Sequence, residues 1–361
     1  MQRKGQIDLW LLLSASLLII IGLFSLLSAS SVISFQEHGH AYYIFYKQVA
    51  FVIIGLVGLL VALLFPLEQL KKLSVLILAI AIVLLIVVLI IGEEINGSTR
   101  WINLKVGTLQ PSEVAKLALI IFLAYYLSLL KEKVQTIKGL LPALVVMGIV
   151  AVLIILEPDL GTTVALLGTC YFMLIAAGAK KGHLLLLLVI GIIGVIGMTI
   201  IEPYRLERLM TFLNYETDPL GDGYQLIQSI YALGSGGLLG AGLGQSKQKF
   251  LYLPENHTDF IFPIVGEELG FLGTFIIVAL FTIYAWRGLR IAMRTQDQFH
   301  CLLAVGLTMQ ITFQAFLNMG VVTGLLPVTG LTLPFFSSGG SSLLVSMVGV
   351  GLLLNLSRYI D

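Results

Sequence analysis

The fold is indicated by residues 73–91, LSVLILAIAIVLLIVVLII, a run without a charged side chain that is long enough to cross a bilayer as one helix. Similar runs recur along the chain of 361 residues, which is 58% hydrophobic and 11% charged and has a mean hydropathy of +1.00. Soluble domains of this length do not have such a composition. The sequence therefore predicts an integral membrane protein.

Ten runs of about 17 to 25 mostly apolar residues are candidates for membrane-spanning helices. They lie at about 9–28, 45–65, 73–91, 112–130, 140–157, 160–178, 183–202, 259–286, 299–320 and 340–357. The first run ends in SLLSAS, which is similar to a signal-peptide cleavage site, but its length and the runs that follow favour a retained helix. We expect one all-α membrane domain over residues 1–361, with large loops between helices 3 and 4 and between helices 7 and 8.

The distribution of lysine and arginine predicts the orientation, because basic residues concentrate in loops that stay in the cytoplasm. Most of them fall in one set of alternate loops, so this set and both termini are expected in the cytoplasm. The basic residues of this set are Arg3, Lys4, Lys71, Lys72, Lys131, Lys133, Lys138, Lys180, Lys181, Arg287, Arg290, Arg294 and Arg358. Two long segments, at about 91–111 and 203–258, then lie on the outer face, where such loops are usually functional. Within the longer one, residues 224–233 are expected to form a short amphipathic helix.

Residues 251–270, LYLPENHTDFIFPIVGEELG, place three carboxylates where a polar loop runs into an apolar helix. A carboxylate at such a boundary is costly to desolvate unless it is hydrated, paired or used chemically, so it marks a functional site. Asp259 follows Thr258, which suits an N-cap, and capping of the eighth helix is therefore the alternative interpretation. Glu267 and Glu268 follow about two turns deeper, where capping cannot explain them.

The other outer segment contains NGSTRWINLKVGTLQPSEVAKL, residues 96–117. Glu113 and Lys116 share one helix face at a spacing of three residues, and an internal salt bridge used for packing is the alternative to a functional role. Arg100 is expected to be an unpaired guanidinium, which is suited to bidentate binding of phosphate oxygens.

Two further outer turns contain candidate residues. In EPDLGT, residues 157–162, Asp159 is either functional or the cap of a tight reverse turn. The loop 324–342, GLLPVTGLTLPFFSSGGSS, ends in small residues that favour close packing of the tenth helix. Exposed backbone amides near Ser337 and Ser338 are an alternative site for an anion.

Several classes of function are excluded by the sequence. A formal net charge of +1 offers no basic face for nucleic acid, and HExxH, Walker and GxSxG motifs are absent from the chain. Cys170 and Cys301 both fall in apolar runs, which favours neither a disulfide nor a CxxC metal site.

Six blocks of the sequence resemble, in the same order, those of the shape, elongation, division and sporulation (SEDS) polymerases of bacteria, a family that includes FtsW, RodA and SpoVE. These blocks are GSTRWINL, TLQPSEVAK, EPDLGTT, YQLIQSIYALGSGG, LPENHTDFIF and NMGVVTGLLPVTGLTLPFFSSGGSS. They extend over essentially the whole chain. The stretch GLGQSKQKFLYLPENHTDFIF is more similar to the FtsW and SpoVE branch than to RodA.

The resemblance implies a peptidoglycan glycosyltransferase that polymerises lipid II on the outer face of the bacterial plasma membrane, in cell division at the septum or in a related cell-wall process. It also implies a class B penicillin-binding protein as transpeptidase partner, together with other divisome or elongasome membrane proteins. The ligands would be lipid II and the nascent glycan strand, and no nucleic acid is expected.

Residue roles follow from the resemblance, position by position. Asp259 in HTDF corresponds to the family's essential aspartate and is the expected catalytic residue. Residues that match other family motifs are candidates for substrate binding or for structural support. The substrate-binding candidates are Arg100, Glu113, Lys116, Asp159, Ser337 and Ser338, and the supporting ones are Glu267, Glu268, Pro327, Gly339 and Gly340.

The expected reaction is an inverting displacement at C1 of the donor sugar, which needs a base near the nucleophile and positive charge near the leaving diphosphate. We assign the base to Asp259 and the positive charge to Arg100 and Lys116, with Mg²⁺ or Mn²⁺ as a candidate cofactor that no ligand spacing indicates. A lipid II flippase is the main alternative, because ten helices with internal charges also suit a lipid transporter. A non-catalytic scaffold for a penicillin-binding protein is the third.

Overall fold

The computed structural model describes residues 5–95, 98–103, 107–215, 221 and 223–360. Twelve α-helices and three short strands lie within these ranges. The helices are α1 Leu9–His38, α2 Tyr43–Leu64, α3 Leu67–Ile91, α4 Pro111–Leu130, α5 Ile137–Leu156, α6 Leu160–Ala176, α7 Lys181–Ile201, α8 Pro203–Leu213, α9 Tyr224–Ser235, α10 Ile261–Arg294, α11 Gln298–Val322 and α12 Gly340–Leu356. The strands are β1 Glu93–Ile95, β2 Ser98–Asn103 and β3 Thr108–Leu109.

The predicted helical membrane architecture is confirmed. In the described ranges, nine helices are long and apolar enough to cross a bilayer, and α6 is a shorter apolar helix at the place of the sixth predicted span. The segment between α3 and α4, predicted as a large loop, contains a small antiparallel sheet of order β1-β2-β3. The strands β1 and β3 are too short for an alternating sequence pattern to reveal them, and the sequence of β2, STRWIN, does not alternate.

The bundle has two distinct ends. At one, which we call the terminal end, the Gly5 amide donates to the Arg358 carbonyl at 2.8 Å and the Asp8 amide donates to Ser357 Oγ at 3.0 Å. Both chain ends therefore lie on the same side, in agreement with the predicted topology. The opposite end, which we call the sheet end, carries the β-sheet and the connections α5–α6, α9–α10 and α11–α12. That the sheet end faces outward is a prediction from the basic residues.

The helices α11 and α12 form the centre of the bundle, whereas α7 is peripheral. In the most apolar windows of α11 and α12, 72% and 78% of the residues are buried, against 11% for α7. The close packing predicted for the small residues at the start of α12 occurs at Gly340, where a Cβ atom would overlap the ring of Phe51. An exposed helix such as α7 is apolar because lipid surrounds it.

The helix α10 is broken at Gly270, whose φ of 66° and ψ of −167° are accessible to glycine but strained for other residues. The part from 271 to 294 is about 36 Å long at 1.5 Å per residue, which is enough to span a bilayer alone. The backbone groups freed by the break bind residues 237–242. For example, the Phe271 amide donates to the Gly237 carbonyl at 2.8 Å and the Ala241 amide donates to the Glu267 carbonyl at 2.9 Å.

The long segment before α10 contains two short helices. The helix expected at 224–233 is confirmed as α9 and ends in the glycines that follow it, while α8 was not predicted. The helix α9 and the loop 236–260 cover the sheet end beside α10, and α8 packs on α7. This cover contains Asp259, whereas the other candidate residues lie on β2, α4, α10 and the connections α5–α6 and α11–α12.

Candidate functional site

The loop that carries Asp259 is held at the sheet end by the α11–α12 connection. Ser337 Oγ donates to the Thr258 carbonyl at 2.5 Å, and the Ser338 amide donates to the His257 carbonyl at 2.8 Å. From α11, Asn318 Nδ2 donates to the Asp259 carbonyl at 2.7 Å. Ser337 and Ser338, expected to contact an anion, therefore contact the backbone beside Asp259.

The carboxyl group of Asp259 does not cap a helix. The helix α10 begins at Ile261, its N-cap is Phe260, and no side chain makes the cap hydrogen bond. The expectation of Thr258 as N-cap and Asp259 in the first helical turn was wrong, because Thr258 Oγ1 donates instead to the Glu255 carboxylate at 2.6 Å. The alternative that Asp259 serves only as a cap is thereby removed.

The environment of Asp259 suits a proton acceptor. Its side chain is partly buried, and Thr258 Oγ1 lies 3.1 Å from Oδ1. Burial, assisted by the charge of Glu255, raises the pKa of Asp259 to about 7; hydrogen bonds from the backbone and from Thr258 oppose this, and the charge of Arg208 opposes it least. A base whose pKa is close to the working pH combines a large ionised fraction with useful basicity.

Glu113 and Lys116 lie in the interior at the start of α4. Lys116 is 2% exposed, and its Nζ lies 2.9 Å from Glu113 Oε1 and 2.8 Å from Gln314 Oε1 on α11. Gln314 Nε2 in turn donates to the Thr332 carbonyl at 2.9 Å. The predicted pair therefore forms, and it connects α4 to α11 and to the α11–α12 loop.

Arg100 is not the unpaired guanidinium that the sequence suggested. Its Nε donates to the Glu157 carbonyl at 3.0 Å, another of its nitrogens donates to the Pro158 carbonyl at 2.5 Å, and Nη1 lies 3.5 Å from Asp159 Oδ2. The sequence does not reveal this pairing, because the α5–α6 turn lies against β2 only in the folded chain. Asp159 also accepts the Thr162 amide at 2.9 Å, so it does act as the cap of α6.

Glu157, beside this turn, was not predicted as a site residue. It is completely buried, and neither carboxylate oxygen has a hydrogen-bond partner within the described ranges. Burial and the charge of Asp159 raise its pKa to about 8, although Arg100 lowers it. The carboxyl group is therefore protonated at neutral pH. Only burial distinguishes it from an ordinary turn residue, and burial is not visible in a single sequence.

Glu267 and Glu268 hold the loop 244–250 in place. Glu267 accepts hydrogen bonds from Ser246 Oγ at 2.5 Å and from the Lys247 amide at 2.9 Å. Glu268 accepts one from Ser28 Oγ on α1 at 2.6 Å and pairs with Lys249 Nζ at 3.3 Å. These contacts agree with the expected supporting role. Both residues lie in the first turns of α10 and precede the break at Gly270, so they come before the part of the helix that is long enough to span a bilayer alone.

The remaining predicted supports lie in the α11–α12 connection. Gly339 is the N-cap of α12, its amide lies 3.5 Å from Gln48 Oε1, and Gly340 contacts Phe51 as described above. Pro327 is partly buried in the same connection.

Side chains that could bind a metal ion do not cluster in the part of the chain that the structure describes. In the described part of the chain, no three histidine, cysteine, aspartate or glutamate side chains come together in a way that could hold an ion. The candidate Mg²⁺ or Mn²⁺ therefore stays a prediction, and no chemical step is assigned to it.

Comparison with known protein families shows to which family the chain belongs. A family model for FtsW, RodA and SpoVE, described as "Cell cycle protein", matches residues 8–361. The chain belongs to the FtsW/RodA/SpoVE family. The resemblance seen in its sequence blocks is thus confirmed over almost the whole length.

Members of the FtsW/RodA/SpoVE family align along nearly their full length. Stage V sporulation protein E of Bacillus subtilis is 44% identical, covering 99% of this chain and 98% of the relative. A "probable peptidoglycan glycosyltransferase FtsW" of Trichlorobacter lovleyi is 42% identical over 98% of this chain and 94% of the relative. These similarities agree with the FtsW and SpoVE branch.

Solved structures share the fold. A chain from a structure described as "Structural coordination of polymerization and crosslinking by a peptidoglycan synthase complex" has a TM-score of 0.81 and 30% identity, covering 98% of this chain and 99% of that one. The rod shape determining protein RodA of Thermus thermophilus has a TM-score of 0.72 and 26% identity, with 98% of each chain covered.

Proposed function

We propose that the protein is an inverting glycosyltransferase that polymerises lipid II into β-1,4 glycan strands on the outer face of the plasma membrane. Relatives named as peptidoglycan glycosyltransferases support this activity. The cellular process would be division, with the protein at the septum, or a related step of cell-wall synthesis. The observation that carries the chemical assignment is the carboxyl group of Asp259, which is free of any ion pair in the described ranges and has a pKa of about 7.

In the proposed reaction, the 4-hydroxyl of an acceptor GlcNAc attacks C1 of a donor MurNAc. The bond from C1 to the diphosphate oxygen breaks with its electron pair, and undecaprenyl diphosphate leaves. The hydroxyl proton moves to the Asp259 carboxylate. A single displacement converts the α-linked donor into a β-linked product.

Other predicted residues fit a positioning role better than direct contact with substrate. Arg100 and Asp159 bind each other, Lys116 is enclosed by Glu113 and Gln314, and all of them are at least largely buried. Their substrate contacts stay a prediction. Their contacts support a positioning role: Arg100 and Asp159 would fix the α5–α6 turn, and Glu113 and Lys116 would fix α4 against α11, around the substrate.

We also propose a class B penicillin-binding protein as partner, together with other divisome or elongasome proteins. The support is the similarity to a chain of a peptidoglycan synthase complex whose description joins polymerization to crosslinking. A partner that cross-links strands would act on the product as it emerges on the same face of the membrane.

The distribution of buried charge favours the polymerase over a flippase. Of the buried ion pairs in the described residues, three lie at the sheet end and Arg287–Asp8 lies at the terminal end. A translocation path for a charged head group would need charged groups between the two ends as well, and none of these four ion pairs lies there.

The direct test measures lipid II polymerisation by the purified protein with its transpeptidase partner. Asp259→Asn keeps the size of the side chain and removes the base, so we expect turnover to fall by about 100- to 10,000-fold. His257→Gln is the matched control two residues away and should retain activity. Full turnover by a well-folded Asp259→Asn variant would disprove the base assignment. Head-group translocation in vesicles without a partner, abolished by Asp259→Ala, would instead support the flippase.

A further inference from the structure

The proposed displacement needs a cation for the diphosphate, and Arg100 and Lys116 are both bound to carboxylates. Arg208 of α8 is a different candidate. Its guanidinium carbon lies 4.4 Å from the centroid of the Tyr204 ring, and no hydrogen bond or ion pair engages it in the parts of the chain that the structure describes. It is near enough to Asp259 to oppose the effect of burial on that carboxyl group. A free guanidinium therefore lies close to the proposed base without pairing with it.

Arg208 lines a cavity of about 230 Å³ at the sheet end. The cavity lies between α8, α9 and the connections before α10 and after α11, and Pro254 forms part of its wall five residues before Asp259. Its polar lining includes Glu207, Thr211 and Gln225. Pockets that enclose drug-sized ligands have volumes of about 300 to 1,000 Å³. The smaller volume suits a diphosphate group.

We propose that this cavity binds the diphosphate of the lipid-linked donor and that Arg208 holds its oxygens, an inference that rests on the proposed function. A guanidinium binds phosphate oxygens through two parallel hydrogen bonds, and stacking on Tyr204 orients it in advance. In an inverting displacement the base and the leaving group lie on opposite faces of C1. Arg208 and Asp259 form no ion pair with each other in the described residues, so each is available for its own group of the donor and acceptor.

The charge of Arg208 would act when the C1–oxygen bond breaks and negative charge collects on the diphosphate. Glu207 lines the same cavity and repels an anion, so the site balances one cation against one carboxylate. Neutralising Arg208 should therefore weaken diphosphate binding, whereas neutralising Glu207 should strengthen it. Such a reversal of sign would not follow from a purely structural role of α8.

The test measures binding of undecaprenyl diphosphate and undecaprenyl monophosphate to the full-length protein in detergent, from the shift of its melting temperature with lipid concentration. We expect Arg208→Ala to weaken diphosphate binding by about 10- to 100-fold and monophosphate binding less. Arg208→Lys should be intermediate, because lysine keeps the charge but not the paired hydrogen bonds. Glu207→Gln should strengthen binding. Arg205→Ala is the matched control on the same helix, since Arg205 donates to the Met198 carbonyl at 3.3 Å, and it should leave binding unchanged.

Equal diphosphate affinity of the wild type and of well-folded Arg208→Ala overturns the site, as does an equal loss in Arg205→Ala. If Arg208→Ala fails to fold, Arg208→Lys and Glu207→Gln decide the outcome by the direction of their effects. Failure of the wild type to polymerise lipid II, with diphosphate binding that still depends on Arg208, overturns the proposed function and supports the site.

Discussion

Asn318 on α11 and Asp259 before α10 are joined by a hydrogen bond of 2.7 Å from the Asn318 amide to the Asp259 carbonyl. The same amide donates to the Leu331 carbonyl at 2.6 Å. One side chain therefore ties the backbone of the proposed base to the loop that leads into α12. Four residues earlier on α11, Gln314 ties the same loop to Lys116. The two amides lie on one helix face and connect the two groups of predicted site residues.

Replacing Asn318 by alanine should therefore misplace the proposed base. Two carbonyl groups lose their donor, and we expect a stability loss of about 1 to 3 kcal/mol with a fall in polymerisation rate of at least about tenfold. Asn355→Ala is the control, because Asn355 makes the equivalent pair of bonds to the Ala62 and Phe65 carbonyls at the terminal end. Thermal unfolding and lipid II polymerisation should show similar destabilisation by both changes and loss of turnover in Asn318→Ala only. Equal turnover in the two variants would contradict the positioning role.

The buried carboxyl group of Glu157 should make stability depend on pH. Its pKa is raised from 4.5 to about 8, so the folded state holds a proton that the unfolded state releases between these values. Stability from this group is fully present below pH 4.5 and falls as the pH rises toward 8, by at most about 1.4 kcal/mol per pH unit.

Glu157→Gln keeps the neutral form at every pH, so it should lessen this decline. We expect the melting temperature of the variant to exceed that of the wild type at pH 8.5 and to match it at pH 4.5, if both are measured in the same detergent. An unchanged difference between the two proteins across this range would show that Glu157 is not protonated in the folded state.

The pH dependence of turnover tests the environment of Asp259. A base with a pKa of about 7 is ionised above that pH, so the rate should rise through pH 7 and level off above it. Glu255 raises this pKa through its negative charge. Glu255→Gln should therefore move the acid limb to lower pH, whereas Glu202→Gln, an exposed acid at the end of α7, should not. A limb that stays in place in Glu255→Gln would contradict the assignment of that limb to Asp259.

Much of this architecture follows from the sequence, for identifiable physical reasons. A spanning helix needs a long apolar run, and residues 67–91 form one around the run at 73–91. The break at Gly270 was missed because a glycine in an apolar run is also compatible with a continuous helix, and the groups that stabilise the break lie in residues 237–242. The pairing of Arg100 was missed for a related reason: its partners are 57 and 58 residues away along the chain. Arg208 was not singled out in the sequence, because the cavity that it lines is visible only in the structure.

Variants of the buried pair Glu113 and Lys116 can distinguish a role in packing from a role in binding substrate. Removing one partner leaves the other charge buried and unpaired, so Lys116→Met should destabilise the fold by about 3 to 5 kcal/mol. Replacing both residues by apolar ones of similar size, Glu113→Leu with Lys116→Met, should restore much of this loss, because no unpaired charge remains. If the pair serves packing, as its contacts suggest, the double variant should also recover polymerisation in the lipid II assay. Recovered stability with turnover still lost would instead assign Lys116 or Glu113 to the substrate.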